Sequence, residues 1–457
     1  MIIKIIWDFF AMTREKLELI DQVRTPKLKF NDNISTFERL ITIVMIIFNI
    51  ISNSGARIEK LELVLDDDDV TLFLDLEEYM EEQDNDSINM LYLYQRRIYP
   101  FMNIKFQNSL SRFFKKQFSK KCFGNLKYLY CGKGIIKENI LTSLSNICHN
   151  LSILKINEEN FMDIKIPLIS IIKRQKNLEY LQIIGNNNLN YLKDENANIT
   201  EIISALESDS ILLKKIELID LYISSDKALK PFVKFKNLEC LHLKGLNLPY
   251  KNFDYISTTD FPKLTSLILV KNYDGSSNFD QEPYTAIIQN QKISSNLKEL
   301  QLTNYNITNN LELLKSINSN CKNLLDFAIQ LTSQEDKIYL FSILNNCPMI
   351  NKFHLEVFEE ENSINNSDFI DELLKHLPKN LVELKLKGVI DTFNNLMKFF
   401  KNCDMVDLKI FSFNLCVEEF IEIEKCQEFI EGWSEKKGKK VESCQLIFTS
   451  NIEIRWK

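Results

Sequence analysis

Only 10 glycines and 9 prolines punctuate the 457 residues. At ~150 residues per domain the length suggests about three domains, but so little Gly and Pro leaves few linkers to separate them. The chain is therefore either several domains or one long repetitive array. Histidine is scarcer still, with His149, His242, His354 and His376 the full set. No Cys-x-x-Cys occurs, which argues against a zinc ribbon or a thioredoxin-like motif. Neither His-Glu-x-x-His nor Gly-x-Ser-x-Gly is present, and no Gly-rich phosphate cradle of either common type. No catalytic, cofactor-binding or metal-binding residue is expected, and the chain does not read as an enzyme.

Charge of one sign is not in excess. The net charge of −7 gives no basic surplus for a nucleic-acid partner. The longest apolar run, LITIVMIIFNII from Leu40 to Ile51, falls short of the ~20 residues that cross a bilayer and reads as a buried helix. No membrane partner is expected. The N-terminal MIIKIIWDFFAM is broken by Lys4 and Asp8 and lacks a cleavage site, so it does not read as a signal peptide. Ten cysteines lie scattered, without the tight spacing of a secreted disulfide scaffold. They read as reduced thiols and point to cytoplasm or nucleus.

What is present is a repeat: apolar, two variable, apolar, one variable, apolar. It runs through NLKYLYC at Asn125, NLSILKI at Asn150, NLEYLQI at Asn177, LLKKIEL at Leu212 and NLECLHL at Asn237. It continues as KLTSLIL at Lys263, NLKELQL at Asn296, NLLDFAI at Asn323, MINKFHL at Met349, NLVELKL at Asn380 and DMVDLKI at Asp404. In the last unit the apolar trio is Met405, Leu408 and Ile410. First apolar residues are 24 to 35 apart and cluster near 26. Such triplets arise by chance in a chain rich in Leu and Ile, so other regularities must carry the reading. Asn directly precedes the first apolar residue in seven of eleven units. Cys148, Cys321 and Cys347 each stand three residues before it, and Cys403 lies near that register in the last unit. A small, partly hydrophobic side chain suits a tight helix-to-strand turn.

Helical periodicity fills the intervals, over Lys137 to His149, Asn309 to Cys321, Lys337 to Cys347 and Asp368 to Leu377. A strand–turn–helix unit of this size cannot bury its apolar face alone and must stack on its neighbours. Upstream, RIEKLEL at Arg57 fits and SINMLYL at Ser87 has weak context, with an insertion around 66–122 between. The acidic run Asp66–Asp69 lacks the Gly turn of a calcium loop and reads as solvated. FFKKQFSKK at Phe113 and KKGKK at Lys436 read as a solvated helix and a polar loop. Val417 to Trp433 reads as a helix, and Val441 to Phe448 as the closing strand of a cap.

The expected fold is α/β: a leucine-rich-repeat solenoid, a right-handed βα horseshoe with a parallel concave sheet and an irregular helical N-terminal part. Its expected divisions are an N-terminal region 1–57, a solenoid 58–411 and a C-terminal cap 412–457. Strand alternation turns the residues flanking the second and third apolar positions to the concave face. Tyr128, Tyr130, Ile153, Lys155, Tyr180, Gln182 and Ile184 then share three consecutive strands, in a patch roughly 10 Å wide. Tyr buries much area and keeps a polar tip, as binding anchors do. Either a protein partner or the chain's own 85–122 insertion would cover it. The same rule sends Glu217, His242, Ser266, Glu299, Asp326, His354, Asp407 and Lys409 to that face. His242 and His354 lie four repeats apart, about 19 Å, too far to share a metal ion.

Repeats of this length, with L-x-x-L-x-L strands and Cys three residues ahead, resemble the cysteine-containing leucine-rich repeats of F-box/leucine-rich-repeat proteins. That class is ribonuclease-inhibitor-like, and the Asn-, Lys- and Ile-rich style is similar to fungal F-box-like proteins. The resemblance covers about Ile58 to Ile410. It implies that the repeats recognise a protein substrate. It also implies an N-terminal F-box that binds the adaptor, and through it the cullin, of an SCF-type ubiquitin ligase. An F-box opens on a Leu-Pro pattern, whereas the first proline here is Pro26, in TPKLKF.

Overall fold

A computed structural model describes residues 60–63, 115, 123–132, 138–158, 161, 164–185, 199–206, 212–221, 223, 225–246, 251–271, 282–304, 311–331, 333–357, 366–390, 392–402, 408–414, 420–436, 441–447 and 451–456. The 1–57 region, the Ser87 unit, the 85–122 insertion apart from Lys115, and Cys403 lie outside the described residues. The chain forms two compact units, Met1–Leu213 and Lys214–Lys457.

In the first unit, β1 (Lys60–Leu63), β2 (Tyr128–Cys131), β3 (Ile153–Asn157) and β4 (Tyr180–Ile184) pair in parallel in chain order. The apolar trios of the repeat form the core. Leu126, Leu129 and Cys131, then Leu151, Leu154 and Ile156, then Leu178, Leu181 and Ile183 have no exposed surface. Each fully buried aliphatic side chain contributes ~1.5–3 kcal/mol, enough to fix which strand face turns inward. The connectors are α1 (Glu138–Ser145), α2 (Lys165–Lys173) and α3 (Thr200–Ala205). They bury Ile140, Leu144, Leu168, Ile171, Ile202 and Ile203. Parallel neighbours need such crossovers, because a tight hairpin cannot join them.

The second unit repeats the plan. Its parallel strands are β5 (Lys215–Ile219), β6 (Cys240–Lys244), β7 (Ser266–Lys271), β8 (Glu299–Asn304), β9 (Asp326–Leu331), β10 (Lys352–Val357), β11 (Glu383–Lys387) and β12 (Ile410–Asn414). Between them lie a 3₁₀ turn at Lys230–Lys234, α4 (Asn252–Ser257), α5 (Glu282–Gln289), α6 (Gln291–Ser294), α7 (Leu311–Asn320), α8 (Gln334–Asn346), α9 (Asn366–His376) and α10 (Phe393–Asn402). Helix α8 starts three residues before the expected Lys337. Ser333 and Asp336 form a capping box there that satisfies backbone donors of the first turn.

Both units are thus α/β leucine-rich-repeat solenoid, and backbone geometry recurs unit after unit. At the entries of β3, β4 and β6 to β12 two consecutive N–H groups donate to one carbonyl of the preceding repeat. Glu179 and Tyr180 donate to Ser152, and Val382 and Glu383 to Asn351. The Asn ahead of the strand reaches back as well. Asn323 Nδ2 donates to Ser295 O at 2.9 Å, and Asn296 Nδ2 to Pro262 O at 3.3 Å. Cys148, Cys321 and Cys347 are buried and close the last helical turn with their own N–H groups. Asp220 and Gly388 each directly follow a strand with positive φ, 53° and 72°. A Cβ on Gly388 would lie 2.0 Å from the Val357 carbonyl oxygen, so only Gly fits.

The last repeat corrects the expected register. Phe411 pairs with Leu384 and Phe413 with Leu386, so the trio is Leu408, Phe411 and Phe413 rather than Met405, Leu408 and Ile410. Asp407 lies outside the described residues, Lys409 precedes β12, and Ile410 and Ser412 take the flanking positions. The physical reason is ring packing. Phe411 lies 4.8 Å from Phe399 and 5.2 Å from Phe413, centroid to centroid. The register places the unit 27 residues after Leu381 instead of 24. Beyond it, α11 (Phe420–Lys436) contributes Trp433, whose ring sits 4.7 Å from Phe400 and whose Nε1 donates to Phe400 O. Two strands follow, β13 (Val441–Ile447) and β14 (Asn451–Trp456). The unexpected β14 pairs antiparallel with β12, and β13, expected as the closing strand, pairs antiparallel with β14 at the outer edge of the sheet.

Candidate binding face

All seven candidate residues lie on β2, β3 and β4, and all seven are half-buried. They alternate with wholly buried neighbours, so they point to the sheet face opposite the core. Register arranges them in rows across the strands. Tyr128, Ile153 and Tyr180 form one row, and Tyr130, Lys155 and Gln182 the next. Ile184 stands one row further, opposite Asn157. Lys155 Nζ crosses between the first two rows and lies 5.0 Å from the centroid of the Tyr180 ring. Such a cation–π contact holds the lysine stem flat along the aromatic surface.

The corresponding face of the second unit is chemically different. Its side chains are largely bonded to one another. His242 Nδ1 lies 2.9 Å from Glu217 Oε1, and His242 Nε2 lies 2.7 Å from Ser266 Oγ. Ser266 Oγ in turn donates to Glu299 Oε2. Lys215 Nζ sits 2.9 Å from Glu217 Oε1, and Gln301 Nε2 donates to Glu299 Oε1 at 3.2 Å. Lys385 pairs with Glu383 at 2.8 Å, and Lys387 with Glu356. The sequence put these residues on one face. It did not show the chain from Glu217 to Glu299, which follows a row at Glu217–His242 and at Ser266–Glu299 and changes row between His242 and Ser266.

Glu217, His242 and Ser266 are spaced like an acid–base–nucleophile triad. The hydroxyl proton of Ser266 is directed to Glu299, however, so His242 faces the serine as a donor and not as a general base.

Further along, burial and the nearby Glu299 carboxylate push Asp326 up to about 6. Burial, with Lys385 and Lys387 adding repulsion, holds His354 down to about 4. His242 and His354 stand on β6 and β10, in the relation the repeat predicted. Among the described residues no group of three or more His, Cys, Asp or Glu could hold a metal ion, and no helix is long and apolar enough to cross a membrane. Burial pushes Cys148 and Cys321 up to about 12, so both keep their protons and are poor nucleophiles.

No protein-family profile matches the chain, and no curated protein sequence does. Among solved structures it is similar to an internalin, InlF, from Listeria monocytogenes, at 14% identity and a TM-score of 0.31. That match covers 63% of this chain and 82% of the other. A second similar structure is the leucine-rich repeat-containing protein LegL7 from Legionella pneumophila, at 14% identity and a TM-score of 0.36. It covers 72% of this chain and 94% of the other.

Proposed function

We propose that the chain is a protein-interaction module that recognises a protein substrate through the β2–β4 strand face. One observation carries this reading: Tyr128, Ile153 and Tyr180 stand in a single row, half-buried and in register, on a rigid parallel sheet. Aromatic groups held on rigid strands lose little conformational entropy when a partner covers them. Lys155 beside them adds a charge that can fix a partner's orientation. The module is a binding scaffold and not an enzyme, at work in the cytoplasm or nucleus, where its buried thiols stay reduced. It takes no cofactor, nucleic acid or membrane.

The resemblance to F-box/leucine-rich-repeat proteins extends the proposal to substrate recognition within an SCF-type ubiquitin ligase. A specific observation favours the second reading, a free-standing repeat module. The N-terminal region has no Leu-Pro opening and offers only Pro26 in TPKLKF. Affinity purification of the full chain separates the two. Recovery of the ligase adaptor together with a cullin supports ligase coupling. Recovery of a partner without either supports the free-standing module. Binding itself is tested with the purified partner: Tyr130→Ala and Tyr180→Ala should weaken it, and unchanged affinity in both would sink the proposal.

A further inference from the structure

The chain Glu217–His242–Ser266–Glu299 obeys a proton count. Three contacts join its four side chains, and each needs one hydrogen between its heavy atoms. A neutral imidazole supplies one, and the serine hydroxyl a second. The third must be an additional proton. Glu217 Oε1 already accepts from Lys215 Nζ at 2.9 Å, which keeps that carboxylate in the acceptor role. With the additional proton on His242 every contact has a donor. Nδ1–H then points to Glu217, Nε2–H to Ser266, and the hydroxyl to Glu299. Glu217, His242 and Ser266 are each at most 8% exposed. A polar contact without its hydrogen is costly at such a place.

We propose that these four residues form a protonation-dependent clasp across β5, β6, β7 and β8. It is closed when His242 carries a proton on both ring nitrogens and open when it carries one. Without the additional proton one contact holds only lone pairs, and Ser266 must release either His242 or Glu299. The charged and titratable groups around the ring are Lys215 and Glu217 on β5, Cys240 and Lys244 on β6, and Glu299 on β8, with Asp326 beyond it on β9. Opening the clasp frees polar groups of four successive repeats on the face opposite the core. A shift in pH would thereby change what that face offers a partner. The inference concerns the second unit alone and does not depend on the tyrosine face of the first.

The test compares urea denaturation of the full chain and of His242→Gln at pH 5 and pH 8, either side of the interval in which an imidazole changes charge. A group that gains partners on protonation stabilises the fold at low pH and loses that effect as pH rises. The midpoint of the wild type should therefore exceed that of His242→Gln by more at pH 5 than at pH 8. Ser266→Ala, which cuts the link to Glu299, should narrow this pH-dependent difference. A gap that is equal at both pH values, or wider at pH 8, overturns the proposal. Should His242→Gln fail to fold, ¹⁵N spectra of the wild-type ring decide. Slowly exchanging protons on both ring nitrogens at pH 5 support the clasp, and a ring that carries a single proton at pH 5, or two that exchange as fast as those of a free imidazole, contradicts it.

Discussion

Gln175 Nε2 donates to the backbone oxygen of Cys148 at 2.9 Å, from the position that a cysteine occupies in other repeats. Cys347 makes the same link one repeat pitch back, its Sγ donating to Cys321 O at 3.0 Å. At Gln175 and Cys347, three residues ahead of a unit's first apolar residue, one repeat therefore satisfies a carbonyl of the repeat before it. Gln175 adds two further bonds, donating to Ile171 O and accepting from Leu151 N, both at 2.7–2.8 Å. Replacing it with Leu removes all three bonds; Ile171 O keeps the Arg174 N–H, and each buried backbone group left unsatisfied costs ~1–3 kcal/mol. Gln175→Leu should cost about 3 kcal/mol or more in chemical denaturation. Cys347→Ala, which loses a single weak bond, should cost clearly less.

The left-handed turns at strand exits give a pair of opposite sign. Asp220 holds φ 53°, a conformation that suits Gly better, so Asp220→Gly should leave stability unchanged or raise it by up to about 1 kcal/mol. Gly388→Ala meets the Val357 carbonyl and should lower stability by several times that amount, ~3 kcal/mol. Thermal midpoints of the two variants check both signs.

Two groups set opposing pH dependences. The carboxyl of Asp326 is raised to about 6 in the fold, so the stability it contributes is present at low pH and is lost as pH rises through that value. The imidazole of His354 is lowered to about 4, so its contribution is present above the ordinary imidazole value and is lost as pH falls toward 4. Over pH 4–6 the two oppose each other. Relative to wild type, Asp326→Asn should gain stability as pH rises toward 7, by roughly 1 kcal/mol once solvent screening is allowed for. His354→Gln should show its relative gain in the opposite direction, as pH falls below 6.5. Urea titrations at pH 4.5, 6 and 7.5 distinguish the slopes.

The buried thiols predict a chemical pattern. Cys148 and Cys321 should resist maleimide in the folded chain at pH 7.5, being buried and held near 12. Half-buried Cys240, whose thiol burial also raises, should label slowly but ahead of them. Mass spectrometry of labelled peptides reads the order.

Much of this structure was legible in the residues because the repeat is a local pattern. Leu at one position and two more at fixed offsets determine which face is buried, and Leu151, Leu154 and Ile156 sit where that rule puts them. The rule failed where aromatic packing outweighed it. Met405 and Ile410 fit the apolar template, but Phe411 and Phe413 fill more core volume against Phe399. Strand β14 was not legible because NIEIRW is too short an alternation to stand out from its neighbours. The candidate face was readable as a set of flanking positions, since alternation alone assigns them. The chain from Glu217 to Glu299 was not, because its one diagonal step, from His242 to Ser266, depends on side-chain reach between rows.

The central claim, that Tyr128, Ile153 and Tyr180 form a partner-facing row, is tested most directly by placing a photo-crosslinking amino acid at Tyr180 in the full chain bound to its purified partner. A second site at exposed Ile338 in α8 serves as the reference. The account predicts a covalent adduct with the partner from position 180 and none from position 338. A crosslink from position 180 to the chain's own 85–122 segment, with no partner adduct, would contradict it.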